Sequence, residues 1–310
     1  MIKLKVLHNN FSGILYLIIF AFTVPLFAGP ANLPVHEPKN SKNFINSEEF
    51  RPEHIMFNVP DPVAMVKWYE ENLGMIAMSK GVPPTYSTFI SDPGKHMMLE
   101  LGNFADFPKM DLPKVDLNTM HLAFVTDNIK KIKQKLVNAG ATVAQDIFKT
   151  PGGDMVMVLR DPWGLPIQFV ERATPMFKYT GLRIEHLEFN VPDTRAKAKW
   201  FADNLNMEIM RRGGAPTYNI FVGDSGHNMM MELNQNKDYP MFDFWKISHM
   251  AFHFAFEVND LQAVKKKMIA AGAQLVDDIT KTPGGDLVMM MRDPWGEPIQ
   301  FVHRAHPMLK

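Results

Sequence analysis

The sequence predicts an α+β fold made of four βαβββ modules that form two domains, at residues 51–176 and 182–308. Two observations predict this fold. The chain is an internal duplication, and each copy carries the order strand, helix, strand, strand, strand twice. A length of 310 residues is enough for two ordinary domains, and 46% hydrophobic residues beside 21% charged ones are typical of a globular protein.

The duplication is visible at both ends of the copies. The stretch "EHIMFNVPD" at 53–61 returns as "EHLEFNVPD" at 185–193. The stretch "TPGGDMVMVLRDPWGLPIQFVE" at 150–171 returns as "TPGGDLVMMMRDPWGEPIQFVH" at 282–303. Both offsets equal 132 residues (185 − 53 and 282 − 150), so the copies align without a gap.

The first module of each copy begins with a strand and a well-marked helix. Residues 53–59 are β-prone, and Asp61 after them is a good N-cap. Apolar residues at helical spacing predict a helix over 62–73 that ends at Gly74, and Asn206 takes that last position in the second copy. Three strands are predicted next, at 75–80, 85–91 and 96–102.

The second module repeats this order. A strand is predicted at 119–127, with Asp127 as the cap of a helix in "NIKKIKQKLVNAG". Three strands follow in "ATVAQD", "DMVMVLR" and "PIQFVER". The "KTPGGD" turns lack the Lys-Ser/Thr and the helix of a phosphate-binding loop, so they are interpreted as hairpin turns.

The net charge, the N-terminal segment and the absence of cysteine bear on binding partners and on cellular location. Lys and Arg balance Asp and Glu at 33 each, which gives no electrostatic reason to bind nucleic acid. Residues 1–28 carry early lysines and then an apolar run, the order of a cleaved signal peptide, and residues 29–50 are interpreted as a linker. Without cysteine the chain has no disulfide and no thiolate metal site. We therefore expect an exported protein, in a bacterial periplasm or outside the cell, with no membrane contact after cleavage.

Four ionisable side chains occupy matching places in the two modules of the first copy. His54 and Glu100 lie on the first and last strands of one module, and His121 and Glu171 on those of the next. A carboxylate among apolar strand residues is costly unless it is paired or binds a cation. Two imidazoles and two carboxylates suit a divalent first-row metal, so the pattern predicts a metal site rather than four separately paired polar residues.

The second copy offers an equivalent set: His186, Glu232, His253 and His303. Its last member has changed from Glu to His, which can still bind a metal but cannot act as a carboxylate base. The pairing of modules is open from sequence. Two pairings are compatible with it: the first module with the second and the third with the fourth, or the first with the fourth and the second with the third.

The motifs above resemble those of the vicinal oxygen chelate superfamily, over residues from about 51 to 305. The resemblance rests on the opening "H-x-x-x-x-V-x-D", on "KWYEENLGM" and on "RDPWGLPIQFVE". The superfamily includes glyoxalase I, extradiol dioxygenases, methylmalonyl-CoA epimerase and fosfomycin- and bleomycin-resistance proteins. The order His54, Glu100, His121, Glu171 is most similar to that of bacterial glyoxalase I.

That resemblance implies a metal-dependent isomerase or lyase for a small molecule with vicinal oxygens, acting through a metal-stabilised enediolate. It implies Glu171 as the base and Glu100 as the opposed carboxylate, with Zn, Ni, Fe or Mn as the metal. Asn58 and Asn190 stand where glyoxalase I has an arginine for the glutathione carboxylate. An Fe(II) extradiol-type dioxygenase and a non-catalytic binding protein are the alternatives, and the expected state is a monomer or homodimer.

Overall fold

The structure, a computed structural model, describes residues 50–309, and all four predicted modules are present in this range. The first comprises β1 (Arg51–Asn58), α1 (Pro62–Leu73), β2 (Ile76–Ala77), β3 (Thr88–Ser91) and β4 (Met98–Gly102). The second comprises β5 (Met120–Val125), α2 (Ile129–Asn138), β6 (Thr142–Lys149), β7 (Met155–Arg160) and β8 (Pro166–Glu171). The predicted signal peptide, and the linker up to residue 49, lie outside the described residues.

The second repeat has the same order. Its first module comprises β9 (Arg183–Asn190), α3 (Thr194–Asn204), β10 (Met207–Arg212), β11 (Ile220–Asp224) and β12 (Met230–Asn234). Its second comprises β13 (Phe252–Glu257), α4 (Leu261–Ala270), β14 (Gln274–Lys281), β15 (Leu287–Arg292) and β16 (Pro298–His303). Short 3-10 turns, Leu112–Lys114 and Phe244–Lys246, precede β5 and β13. Each repeat therefore folds as βαβββ twice.

The helix ends follow the capping residues, with one correction. The Asp61 side chain accepts a hydrogen bond from Ala64 N, and Gly74 ends α1 at φ 68°, as predicted. Asn206 also adopts a positive φ, 53°. The prediction of Asp127 as the cap of α2 is wrong by one residue. Asn128 accepts from Lys131 N at 2.9 Å, because the helix begins one residue later than its polar run suggests.

The strands form two eight-stranded sheets, and each sheet combines one module from each repeat. One sheet has the order β14-β15-β16-β13-β1-β4-β3-β2, and the other β10-β11-β12-β9-β5-β8-β7-β6. The antiparallel pairs β1–β13 and β5–β9 join the modules within each sheet. The first module thus pairs with the fourth and the second with the third, which answers the question that the sequence leaves open.

One face of each sheet belongs to a shared core. Side chains on this face, such as Ile55, Leu99, Leu122 and Phe169, are fully buried, and the core they form includes residues of all four modules. Trp68 Nε1 on α1 donates to Ala139 O at 2.8 Å, so the helices of the first two modules meet although their strands lie in different sheets. The opposite face carries His54, and it is there that the polar residues gather.

Two further features bear on the sequence predictions. The "KTPGGD" segment is a hairpin turn, as predicted, since Thr150 N donates to Asp154 O at 2.8 Å and Thr282 N to Asp286 O at the same distance. Within residues 50–309, none of the helices is both long and apolar enough to cross a bilayer.

Candidate metal centres

The first cluster of metal-binding side chains lies where β1, β4 and β13 run side by side. It contains His54, Glu100 and His253, whose ligand atoms all lie within 4.8 Å of one another. His54 Nε2 is 3.3 Å from Glu100 Oε2 and 3.4 Å from His253 Nε2. The strand register causes this convergence, because Met56 of β1 lies opposite both Glu100 and His253, and His54 is two residues away on the same face.

The second cluster repeats this arrangement in the other sheet. It contains His121 of β5, His186 of β9 and Glu232 of β12. His186 Nε2 is 3.2 Å from Glu232 Oε2, and the rings of His121 and His186 are 5.7 Å apart. Each cluster therefore takes one histidine from each repeat.

All four histidines are held by their Nδ1 atoms. In the first cluster, Nδ1 of His54 meets Glu53 Oε2 at 2.7 Å, and Nδ1 of His253 meets His249 O at 2.8 Å. In the second cluster, Nδ1 of His186 meets Glu185 Oε2 and Nδ1 of His121 meets Leu117 O, both at 2.9 Å. Since each Nδ1 faces an oxygen acceptor, it carries a proton in the neutral ring and leaves Nε2 as a lone pair turned towards the cluster.

A buried ion-pair chain supports His54. Glu53 is the extra residue of an irregularity in the β1–β13 register, so its side chain lies beside that of His54. Arg304, just after β16, donates to both Glu53 oxygens at 2.6 and 2.7 Å, and its third nitrogen contacts Asp286 at 2.8 Å. The hairpin turn that carries Asp286 thus fixes the orientation of a histidine in the other repeat.

The same chain supports His186 in the second cluster. Glu185 is the unpaired residue of the β5–β9 register, Arg172 binds both of its oxygens, and Asp154 contacts Arg172 at 2.8 Å. The bidentate pair of Arg172 with Glu185 is buried. These supporting residues were not predicted from sequence. The available signal was that both repeats carry a glutamate just before the first-strand histidine and an arginine just after the last strand.

Burial and pairing divide the charges within the first cluster. Burial opposes the charged form of His54, but the contacts with Glu100 and Glu53 outweigh it and raise the pKa. Burial, followed by the neighbouring His54, lowers the pKa of His253 to about 4. Burial acts against ionised Glu100, yet its contact with His54 lowers the pKa to about 2. The first cluster thus holds an ionised carboxylate and, in His253, a neutral imidazole.

The second cluster differs by an additional carboxylate. His121 has a pKa lowered to about 4 by burial and by His186, and Glu232 one lowered to about 2, where the contact with His186 overcomes burial. Glu188, two residues after His186, has its Oε2 3.2 Å from His121 Nε2. Burial and the charge of Glu232 raise the pKa of Glu188 well above its usual range. Sequence reasoning missed Glu188. The visible signal was that Glu188 takes the place of Met56 in strands that otherwise match between the two repeats.

The prediction that Glu171 and His303 are ligands, and Glu171 a base, is not supported by their positions. In the β5–β8 register, Phe124 pairs with Phe169, and both side chains are on the core face. Glu171 is two residues after Phe169 and therefore also on the core face, whereas His121 is on the other face of the sheet. Its carboxylate accepts from Ile129 N at the start of α2, at 3.0 Å. His303 occupies the equivalent place, with Nδ1 3.1 Å from Val258 O.

The cluster face of the last strands carries glutamines instead. Gln168 lies opposite Ala123, on the same face as His121. Burial lowers the pKa of His121, and the side-chain contact with Gln168 is one of the interactions that oppose this effect. Gln300 lies opposite Ala255 in the same way. The alternation of "PIQFVE" was the signal: Ile167 and Phe169 mark the core face, which is also the face of Glu171.

The residues present fit a divalent metal. Nε2 of His121 and of His186 are buried without a hydrogen bond, although each lies 3.2 Å from a carboxylate oxygen. A buried lone pair without a donor is costly, and imidazole nitrogens beside carboxylates are the donors that first-row metals prefer. Glu100 and Glu232 are 12% exposed whereas the four histidines are at most 3% exposed, so access from solvent is on the carboxylate side.

Comparison with known proteins agrees with this fold. The family model for the Glyoxalase/Bleomycin resistance protein/Dioxygenase superfamily matches residues 51–169 and 183–301. The match covers more than half of the chain, which therefore belongs to this family, the vicinal oxygen chelate superfamily. A curated relative, the probable chloroplastic lactoylglutathione lyase of Arabidopsis thaliana, is 22% identical over 211 residues, 64% of this chain and 58% of its own length.

Two solved structures share the architecture of both repeats. Glyoxalase I from Zea mays superposes with a TM-score of 0.67 at 19% identity, over 83% of this chain and 93% of its own. A putative dioxygenase from Bacillus subtilis subsp. subtilis strain 168 superposes with a TM-score of 0.61 at 14% identity, over 85% of this chain and 88% of its own. At these identities the likeness establishes the fold.

Proposed function

We propose that the protein is a divalent-metal-dependent enzyme of the glyoxalase I type, an isomerase or lyase that acts on a small molecule with two vicinal oxygens through an enediolate. The observation that carries the proposal is the shared state of four histidines. Each has its Nδ1 held by an oxygen and its Nε2 turned towards a glutamate, in a chain of the glyoxalase superfamily. A divalent ion held there lowers the free energy of negative charge that develops on the substrate oxygens.

The residues of the chain supply orientation and a proton acceptor. Glu53 and Glu185, each fixed by an arginine, prevent the rings of His54 and His186 from rotating. Ser87 donates to Glu100 at 2.5 Å, and Asn219 donates to Glu232 at 3.1 Å, so one oxygen of each carboxylate is held. Because Glu171 lies on the other face, we assign the transfer of the substrate proton to the cluster carboxylates Glu100 and Glu232, which reach the solvent side.

The substrate proposed is a small oxygenated molecule with no required glutathione group. Asn58 is buried and fully used: its Nδ2 donates to Phe104 O at 2.9 Å and its Oδ1 accepts from Phe104 N at 2.9 Å. Asn190 makes the equivalent bonds to Asn236. These asparagines hold a loop, so neither is available to bind a glutathione carboxylate.

The test combines metal content with hydrogen exchange. We expect about two equivalents of metal in the wild-type protein and about one in each of the variants His253→Ala and His121→Ala, which lose different clusters. A panel of 2-hydroxy aldehydes and ketones, followed by NMR in D2O, should show metal-dependent uptake of deuterium at the hydroxyl-bearing carbon next to the carbonyl group. Metal binding with no exchange and no turnover would contradict the catalytic proposal and favour a binding protein.

A second function, an Fe(II) dioxygenase, is favoured by one specific observation. The first cluster contains two histidines and one carboxylate, the ligand set that non-haem Fe(II) oxygenases use. Anaerobic loading with Fe²⁺, followed by measurement of oxygen uptake with a panel of catechols, distinguishes the two functions. Oxygen consumption without deuterium uptake would establish the dioxygenase instead of the isomerase or lyase.

A further inference from the structure

Glu188 is a buried carboxylate beside the second cluster that the proposed function does not use. It lies in the middle of β9, opposite Glu232 on one side and opposite His121 on the other, and two residues after His186 on the same face. All three members of the second cluster therefore lie next to Glu188 on this face of the sheet. Glu188 is only 6% exposed, so its carboxylate must find its partners inside the protein.

One distance joins Glu188 to the cluster. Its Oε2 is 3.2 Å from His121 Nε2, the same separation as that between Glu232 Oε2 and His186 Nε2. Neither pair makes a hydrogen bond through the imidazole nitrogen. Two imidazole nitrogens, each 3.2 Å from a carboxylate oxygen, are an arrangement that a cation bound between them would satisfy.

The first cluster provides an internal reference. The residue equivalent to Glu188 is Met56 (188 − 132), which is fully buried between Glu100 and His253. The first cluster accordingly has one carboxylate and the second has two, on strands that otherwise read "EHIMFN" and "EHLEFN". Two ionised carboxylates in one buried site repel each other, and a divalent ion bound between them would attract both and offset that repulsion.

We propose that Glu188 is a fourth protein ligand of the second cluster, which makes this cluster the tighter of two unequal metal sites. The second site has two imidazoles and two carboxylates, whereas the first has two imidazoles and one carboxylate. This inference rests on the metal dependence in the proposed function, since it assigns a further ligand to one of the same two clusters.

The experiment is a reciprocal exchange between the two sites, read by zinc affinity. His253→Ala isolates the second site and His121→Ala isolates the first, and Zn²⁺ is titrated against a chromophoric chelator. In the His253→Ala background, Glu188→Met should weaken Zn²⁺ binding by roughly 10- to 100-fold, the scale of losses around metal ligands. In the His121→Ala background, Met56→Glu should strengthen it.

The isosteric variant Glu188→Gln guards against misfolding. It keeps the size of the side chain and its polar contact with Asn234 but cannot supply an anionic oxygen to the metal, so it should also weaken Zn²⁺ binding while circular dichroism of the metal-free protein stays unchanged. Unchanged zinc affinity in both Glu188 variants, with metal still bound, would overturn the inference and leave the proposed function standing. If the wild-type protein bound no Zn²⁺ at either cluster, the metal-dependent function would fail as well.

Discussion

The two repeats meet the same structural requirement in different ways where a helix packs against a turn. In the first repeat, Tyr69 of α1 donates through its hydroxyl to Asp161 Oδ2 at 3.1 Å, and Met65 and Leu165 are buried members of the apolar core. Asp161 Oδ1 accepts from the backbone of its own turn, at Trp163 N and Leu165 N. The buried aspartate thus accepts from one neutral side chain and from two backbone amides of its own turn.

In the second repeat, a lysine takes over this task. Lys197, equivalent to Met65, is fully buried, and its Nζ donates to Asp293 Oδ2. Nζ is also 2.7 Å from Glu297 Oε2, an ion-pair contact without hydrogen-bond geometry, and Phe201 replaces the tyrosine. Lys197 belongs to α3 of one sheet's modules, and the turn with Asp293 belongs to the other sheet. Lys197, Phe201 and Glu297 of the second repeat thus take the places of Met65, Tyr69 and Leu165 as one coupled set.

The largest effect is expected from removing the lysine alone. Lys197→Met leaves Asp293 and Glu297 buried without their cation, and breaking a buried pair in this way costs about 3–5 kcal/mol. We expect a decrease of that size in the free energy of unfolding, measured by urea denaturation of the metal-free protein.

The triple variant Lys197→Met, Phe201→Tyr, Glu297→Leu reproduces the first repeat and is the matched control. It should recover most of the stability, because the tyrosine hydroxyl again reaches the aspartate and no second carboxylate remains. A single variant that unfolds like the wild type would show that the lysine does not hold the two carboxylates, and the comparison would fail.

A smaller effect is expected from the neutral donor of the first repeat. Tyr69→Phe removes the side-chain hydrogen bond to Asp161, and an unsatisfied buried group costs about 1–3 kcal/mol. Burial raises the pKa of Asp161 from 3.8 to about 6, against the opposing hydrogen bonds from Leu165 N and Tyr69.

The pH dependence gives this variant a sign that can be checked. A carboxyl group with a raised pKa in the folded state contributes stability that is fully present below about pH 3.8 and is lost as the pH rises through 6. Without the tyrosine hydroxyl the pKa of Asp161 rises further, so the loss of stability should be smaller at pH 5 than at pH 8. Urea denaturation at the two pH values tests this, and a larger loss at pH 5 would contradict it.

Much of this molecule could be predicted because its local signals repeat. The bounds of α1 followed from Asp61 and Gly74. The cluster histidines lie on the first strand of each of the four modules, and the cluster glutamates lie on the last strand of the first and third modules. The choice of face failed for Glu171 and His303, since alternation shows which residues share a face but not which face meets the helices. The apolar neighbours Ile167 and Phe169 held that information.

Other features depend on contacts that no local pattern encodes. The pairing of the first module with the fourth is a long-range choice of the antiparallel pair β1–β13. The support of His54 by Arg304 depends on that choice, because these residues lie in different repeats and meet only when the modules are exchanged. The pair Glu188 and Met56, in contrast, is visible in the sequence. The two copies differ at this strand position, and the two clusters accordingly differ in their number of carboxylates.

The smallest effect concerns two adjacent residues at the end of β8 that lie on opposite sides of the sheet. Arg172 binds the carboxylate that orients His186, so Arg172→Gln should weaken Zn²⁺ binding at the second site by at least about tenfold, the lower range for loss of an outer-shell partner. Glu171→Gln should leave that affinity unchanged, because its side chain meets Ile129 N and can still accept this hydrogen bond as an amide. Both variants are measured in the His253→Ala background. A loss in Glu171→Gln equal to that in Arg172→Gln would return Glu171 to the metal site, since only contact with the cluster face could make the two neighbours equivalent.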